Sequence, residues 1–450
     1  MRSTDTARQL ELPFAPAGEA ASGAVTGPRL RPGDVDSATG GSTPTTATTP
    51  GIRTSATAIR TTTTRTTAFG PVPSADEPAA VPADLSFEEV VAGYVDCRRN
   101  KRTKAAALEF ERNQEAGLFA IYAALTNGTW RPGRSICFVV TRPRPREVWR
   151  AEFRDRVVHH ILYNRIAPRF HAGFIADSCA CIPGRGTLYA ARRLEHHVRS
   201  ATHNWSRPAF YLKLDFANFF VSIDKHVLRE QLARRIPEPW WLRLAETVLY
   251  HDPRVDVALH STPAQLALVP PHKSLLHQPA HLGLPIGNLS SQFFANVHLD
   301  SLDQFVKHRL GARHYVRYVD DLVLVHASPQ WLNAARADIE AFAARELHLW
   351  LNQAKTVLQP VERGIDFVGH LIKPWCRRTR PRTVRQALAR VARLPAADLR
   401  VTANSYFGLL RQAPASHTDR TRLANLLRQR GRSVDHRLTK SYAPAQGALS

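Results

Sequence analysis

Cysteine, methionine, acidic residues and long apolar runs are all in short supply in this chain. The five cysteines, Cys97, Cys137, Cys179, Cys181 and Cys376, are odd in number and scattered. That excludes a disulfide framework and suits a reducing cytoplasm. Cys179-Ala180-Cys181 is the only close pair, and it has no second pair at zinc-finger spacing; it reads as part of a buried strand or loop. The 20 histidines include no His-Glu-x-x-His stretch, which removes that zinc-protease signature. No apolar run is long enough to span a bilayer, and the N-terminus lacks a signal-peptide core. Methionine occurs once, at position 1, so a later start would need another codon. Asp and Glu total 38 against 61 Lys and Arg, a formal net charge of +23. Such an excess suits a polyanionic partner. Its clustering at 131–156 and 377–411 favours nucleic acid over a generally basic surface, and binding of that kind weakens steeply with salt.

With 450 residues the chain has room for two or three domains. Residues 1–84 are a Thr/Ala/Pro-rich tract that cannot bury enough apolar area to offset its ordering entropy, and it is predicted to be disordered. Folding is predicted to begin at Ser86-Phe87-Glu88-Glu89, a capping box. A second helix carries Leu118, Ile121, Tyr122 and Leu125 on one stripe and stops at Asn127-Gly128. Residues 136–140 and 146–149 flank a Pro-rich basic turn and predict a hairpin. Helices are predicted over 240–250, 290–310 and 334–347, and past Pro374 the pattern turns helical and basic. No internal repeats occur.

The chemistry centres on Tyr318-Val319-Asp320-Asp321. Apolar, β-branched runs stand on both sides of the two carboxylates, which predicts two short strands with the pair at or near a hairpin tip. Asp-Asp in a turn is ordinary surface chemistry by itself. A third carboxylate changes the reading. Residues 209–215 predict another strand, with Phe210, Leu212 and Leu214 on one face and Tyr211, Lys213 and Asp215 on the other. Two strand ends carrying Asp in one sheet would gather three carboxylates that repel one another unless cations fill the site. A pair of divalent ions is the usual resolution, and it is the arrangement of nucleotidyl transfer.

Seven ordered blocks give the chain a wider likeness. They are Phe153-Arg154-Asp155-Arg156-Val157-Val158-His159-His160; Asp177-Ser178 with Gly184-Arg185-Gly186-Thr187; the segment from Leu212 to Phe220; the segment from Gly283 to Gln292; the Tyr-Val-Asp-Asp box; Asn352-Gln353-Ala354-Lys355-Thr356; and Phe367-Val368-Gly369-His370. Over residues 85–430 the chain resembles a bacterial reverse transcriptase. The resemblance implies an α+β, right-hand polymerase. N-terminal helices and fingers would span 85–208. A palm with an antiparallel sheet would span 209–373, with a fingers insertion at about 233–285. A helical basic thumb would span 374–435, followed by a disordered tail at 436–450.

The same resemblance implies RNA-directed DNA synthesis, with two Mg²⁺ ions held by Asp215, Asp320, Asp321 and the carbonyl of Phe216; Mn²⁺ can substitute. Lys355 would protonate the leaving pyrophosphate. Arg144, Arg146 and Arg154 are the candidates for gripping the deoxynucleoside triphosphate, with the choice among them open. Phe220 would exclude a ribose 2′-hydroxyl, and of Phe219 and Phe220 one should be core. Gly287 would let backbone approach the template base, with Gln292 completing that block. Ile286, Tyr318 and Gly369 would face template and primer. Many relatives carry Gln-Gly-x-x-x-Ser-Pro where this chain has Ile286-Gly287-Asn288-Leu289-Ser290-Ser291-Gln292. That difference resembles the diversity-generating retroelement branch, whose enzymes copy a template RNA with errors at adenine. Partners implied are an RNA template, a DNA or RNA primer and a small basic helical accessory protein, with no membrane and a cytoplasmic location. The alternatives are a reverse transcriptase of another bacterial class, such as phage defence, or a non-catalytic RNA-binding scaffold.

Overall fold

The computed structural model describes residues 85–442 apart from 100 and 143. The tail predicted over 1–84, and residues 443–450 of the second tail, lie outside the described residues. Within them the fold is α+β, as expected. The first helix, Phe87–Arg98, opens on the predicted capping box: Ser86 Oγ accepts from Glu89 N, and Glu89 Oε2 accepts from Ser86 N at 2.9 Å. The second predicted helix runs over Gln114–Thr126 and ends at Asn127, with Gly128 at positive φ.

A four-stranded antiparallel sheet sits at the centre. Its order is Tyr315–Tyr318, Asp321–His326, Phe210–Leu214, Val357–Pro360. Alternation along these strands divides the side chains between two cores. Leu212, Leu214, Leu322, Leu324 and Tyr315 join the large core built with helices Phe153–Gly173 and Leu289–Gln304. Tyr211, Val316, Val323 and Val325 face helix Thr187–Ala201 and the strands that follow the sheet. Both faces are covered, so register is strongly specified: a one-residue slip would exchange the two apolar sets. The observed register sets Leu214 opposite Leu322 and Phe210 opposite His326, which brings the ends carrying Asp215 and Asp321 side by side.

The predicted basic hairpin forms from Ser135–Val140 and Arg146–Ala151, and Val257–Leu259 adds to it in parallel. That third strand, only three residues long, carries too short a pattern to be read from sequence. Glu147, buried in this sheet, ties it to the Pro/His-rich segment by accepting from Ser274 Oγ and from Leu275 N at 2.9 Å.

Beyond Pro374 strands persist where helix was expected. Cys376–Thr379 pairs with His370–Lys373, burying Arg377 and Thr379. Helices Pro381–Arg393, Ala396–Leu410 and His417–Gln429 then enclose a separate core of Val391, Ala403, Phe407 and Leu427. Residues 433–434 and 441–442 pair as short strands, and Asn404 holds Ser441 at both backbone groups. Regular structure thus continues past residue 436, where a tail was expected, because the pairing and Asn404 satisfy that backbone.

Two fully enclosed histidines give this fold a pH signature. Burial pushes His159 down to about 3 and His298 down to about 4, whereas an unfolded histidine titrates at roughly 6.5. Between those values the unfolded chain binds more protons, so stability falls as pH falls. Urea unfolding at pH 7.5 and pH 5.5 should show a loss of about 1.4 kcal/mol per pH unit for each of the two below roughly pH 6.5. His298→Gln should flatten the slope by about one proton's worth; an unchanged slope would contradict this account.

Candidate active site

Three strand ends converge on the carboxylates. Asp215 follows strand Phe210–Leu214 and is almost fully buried. Val319 and Asp320 form the two-residue turn between Tyr318 and Asp321, which face each other across the hairpin. The returning segment at 350–352 docks on the first strand's end: Ala217 N donates to the Trp350 carbonyl at 2.8 Å and Asn352 N to the Asp215 carbonyl at 2.7 Å. A single turn, Gln353–Lys355, then carries Lys355 back over the site. Its Nζ lies 2.6 Å from Asp215 Oδ1. Lys213, two residues before Asp215 on the same strand face, places Nζ 3.5 Å from Asp321 Oδ1.

The electrostatics match this crowding. Burial, then Asp321 and Asp215, push the Asp320 carboxyl up to about 7. Burial also raises Asp321, opposed first by Lys213. Burial lowers Arg146, and Asp320 is the carboxylate whose field opposes that shift. A carboxyl raised by its acidic neighbours, as Asp320 is, marks acids sharing one space. Among the described residues no three His, Cys, Asp or Glu side chains close on one point as metal ligands; Lys355 and Lys213 compensate Asp215 and Asp321 instead. The donors are nonetheless carboxylate oxygens in mutual repulsion, a set that fits hard divalent cations.

The turn itself is strained. Val319 has φ +56°, a left-handed conformation that is a genuine outlier for a β-branched residue. Arg317 holds it. This arginine is fully buried, and its Nη1 donates to the Val319 carbonyl at 2.9 Å and to Asn296 Oδ1 at 3.1 Å. Its Nε and Nη2 form a bidentate pair with Asp303 at 2.8 and 2.6 Å, and Nη2 also reaches Ser178 Oγ at 2.9 Å. Tyr315 Oη donates to the same aspartate at 2.7 Å. Burial alone would strip the Arg317 charge, but Asp303 beside it more than offsets this. Sequence reasoning missed Arg317, Asp303 and the counter-ion Lys213. A signal existed: an arginine at an interior strand position among apolar residues has to find a buried partner.

Other expected residues fall as follows. Phe219 is core, while Phe220 is half-buried with its ring 5.2 Å from that of Phe219. Phe216 is buried, its backbone bridged to Leu351. Arg146 lies in the field of Asp320, with Arg144 nearby. Arg154 turns elsewhere: Nη2 donates to the Arg131 carbonyl at 3.3 Å, and Nε lies 3.7 Å from Asp155. Gly287 has no room for a side chain. At φ +131°, a Cβ there would stand 2.4 Å from the Trp149 carbonyl oxygen, and the Ile286 carbonyl accepts from Trp149 N at 2.6 Å. The close neighbour is thus the basic hairpin. Ile286 is half-buried, and Gln292 accepts from Cys181 Sγ at 3.2 Å. Tyr318 is half-buried beside the strained turn. Val368 and Gly369, both at positive φ, form the tight turn between Ile365–Phe367 and His370–Lys373.

Breaking the buried pair should be costly. Asp303→Asn leaves Arg317 charged without its carboxylate, and urea unfolding should register a loss of about 3–5 kcal/mol; a change under about 1 kcal/mol would show that the pair does not hold the turn.

Comparison with known proteins gives the following. The family model for reverse transcriptase (RNA-dependent DNA polymerase) matches residues 142–372. Protein YkfC of Escherichia coli (strain K12) is 22% identical over 271 residues, covering 53% of this chain and 66% of that one; the chain thus spans just under two thirds of this relative. Among solved structures, apo telomerase from Candida tropicalis matches with TM-score 0.42 at 11% identity, over 65% of this chain and 55% of that one. Telomerase from Candida albicans in complex with a TWJ fragment of telomeric RNA matches with TM-score 0.39 at 13% identity, over 66% and 54%. No described helix is long and apolar enough to cross a membrane.

Proposed function

Since this chain belongs to the reverse transcriptase (RNA-dependent DNA polymerase) family, we propose that it extends a primer on an RNA template by nucleotidyl transfer at Asp215, Asp320 and Asp321. The observation that carries the reading is the convergence of three carboxyls at adjoining strand ends, where burial, Asp321 and Asp215 push Asp320 up to about 7. The three aspartates, with the Phe216 carbonyl, would hold two Mg²⁺ ions, or Mn²⁺ in their place. Bound there, such ions supply charge neutralisation for the triphosphate and activate the primer 3′-hydroxyl.

The chain's own groups divide the remaining work. Arg146, in the field of Asp320, would meet the triphosphate as a fixed cation, with Arg144 beside it. Lys355 holds a proton at Nζ beside Asp215; a triphosphate that displaces this contact would free it to protonate the departing pyrophosphate. Phe220, half-buried after Asp215, would stand under the sugar and select deoxynucleotides. Arg317 and Asp303 fix the turn that presents Asp320. In domain terms, 85–208 and the insertion at 233–285 act as fingers, 209–373 as palm and 374–435 as thumb. Gln292 and Tyr318 would border the nucleotide and template, and Gly369 the primer end.

The setting we propose is a diversity-generating retroelement, in the cytoplasm, with a small basic helical accessory protein. Ile286 supports this, because an apolar residue at the base-pair check would relax discrimination at adenine.

Primer extension on an RNA template should need added Mg²⁺, stop with EDTA, and fall at least about a hundredfold in Asp320→Ala; equal products from wild type and Asp320→Ala would support a non-catalytic scaffold. Phe220→Ala should raise ribonucleotide incorporation in single-nucleotide assays. Sequenced products of wild type should carry errors concentrated opposite template adenines and fewer in Ile286→Gln; identical spectra would remove the retroelement reading and leave the polymerase reading intact.

A further inference from the structure

The central sheet has a second end, away from the carboxylates. Phe210 and His326 pair there, four residues or about 13 Å along the strand from Leu214. An open hollow of about 410 Å³ lies at this end, lined by Ser200, His203, Arg313, His314 and His326 among others. Arg313 and three histidines are among these five side chains, and none is acidic. The surrounding chain has the same bias: residues 196–214 and 304–319 contain no Asp or Glu. Arg199, Arg207 and Arg313 are exposed. The nearby carboxylate Asp177 is buried and already taken by Arg193, His197 and Lys307 at 2.7, 2.8 and 2.9 Å, and Glu195 of the adjoining helix is bonded to Arg377. Burial lowers His314 to about 4, and His197, Arg313, Lys307 and His326 all push the same way. Arg313 is therefore the fixed charge of the hollow, and no carboxylate lines it.

An exposed aromatic lies two residues beyond His203, one of the lining residues. Trp205 is 44% exposed, although a tryptophan costs free energy to leave in water. It is displayed by three consecutive left-handed residues, His203, Asn204 and Trp205, a conformation fixed from outside. Thr202 Oγ1 accepts from Trp205 N at 3.0 Å, Arg199 Nε donates to Asn204 Oδ1 at 2.8 Å, and the Arg199 guanidinium lies 5.4 Å from the Trp205 ring centre. A ring held open to solvent next to a cationic hollow is the combination that binds bases by stacking and backbone by charge.

We propose that this flank of the sheet is a second nucleic-acid site, distinct from the catalytic end, that takes single-stranded RNA. Phosphates would enter the hollow against Arg313, His203 and His326, with a base on Trp205. An acidic protein would satisfy the charge but would leave the exposed ring without a use, and RNA rather than DNA follows from the function proposed above. The site would hold template RNA outside the cleft, so that the strand being copied stays attached while its end moves.

The test uses the full chain and two probes sharing one DNA primer. The short probe is an RNA only as long as the duplex plus a few template bases, and the long probe carries an added single-stranded arm of about 20 nucleotides, beyond the site size of one binding module. The series Arg313→Lys, Arg313→Gln and Arg313→Glu should weaken long-probe binding progressively, reaching about five- to tenfold at Glu with a salt slope smaller by about one, and Trp205→Ala should lose about fivefold or more. Extension of the short probe should stay within about twofold in every variant. Unchanged long-probe affinity overturns the site, as does an equal loss in all three Arg313 variants, which would report altered folding rather than charge. Equal losses on a long probe whose arm is DNA overturn the assignment to RNA. A wild type that fails to extend the short probe while Arg313→Glu still weakens the long one would reject the polymerase reading and keep the RNA site.

Discussion

Like charges confined in a small space dominate this molecule. Asp215, Asp320 and Asp321 are brought to one edge of the sheet by strand register, with Asp215 buried and the other two half-buried, so that solvent only partly dilutes their repulsion. Everything nearby answers that repulsion. Lys355 and Lys213 lean on two of the carboxylates, and Arg146 sits in the field of the third. The free energy needed to hold such a cluster comes from elsewhere: from cores on both faces of the sheet that forbid slippage, and from a buried arginine that grips the turn by its carbonyl. Stored strain at Val319 and stored charge at Asp320 are adjacent, which is where a site prepared for a highly charged substrate would keep them.

The Arg317 and Asp303 pair shows how the fold transmits this constraint. Asp303 belongs to helix Leu289–Gln304, and Ser178 to the loop before helix Thr187–Ala201. One guanidinium therefore joins the turn, the long helix and that loop. Replacing such a pair with packed apolar residues is often neutral for stability. Its value here is geometric, since no apolar side chain could bond the Val319 carbonyl.

Much of this was legible in the amino-acid order. The alternation of Phe210, Leu212 and Leu214 against Tyr211, Lys213 and Asp215 gave the strand and its acidic end, and the apolar runs around Asp320 gave the hairpin. The helix starting at Phe87 was announced by its capping box. What escaped reading has physical reasons. The strand Val257–Leu259 is too short to show a period, and the pairing of Cys376–Thr379 depends on a partner strand rather than on its own arginine-rich composition. The backbone packed against Gly287 is that of Trp149, over a hundred positions away in the chain, which no local pattern reveals. Arg154 looked equivalent to Arg146 in sequence, and only the helix it occupies turns it toward Arg131 and Asp155.

Asp177 offers a last lesson in asymmetry. It is one acceptor serving three donors, Arg193, His197 and Lys307. If any single donor is removed, two others still bond the acceptor. The acceptor has no such redundancy, because its loss would take a partner from all three donors at once. Substitution at one spoke thus removes one contact, and substitution at the hub removes all three.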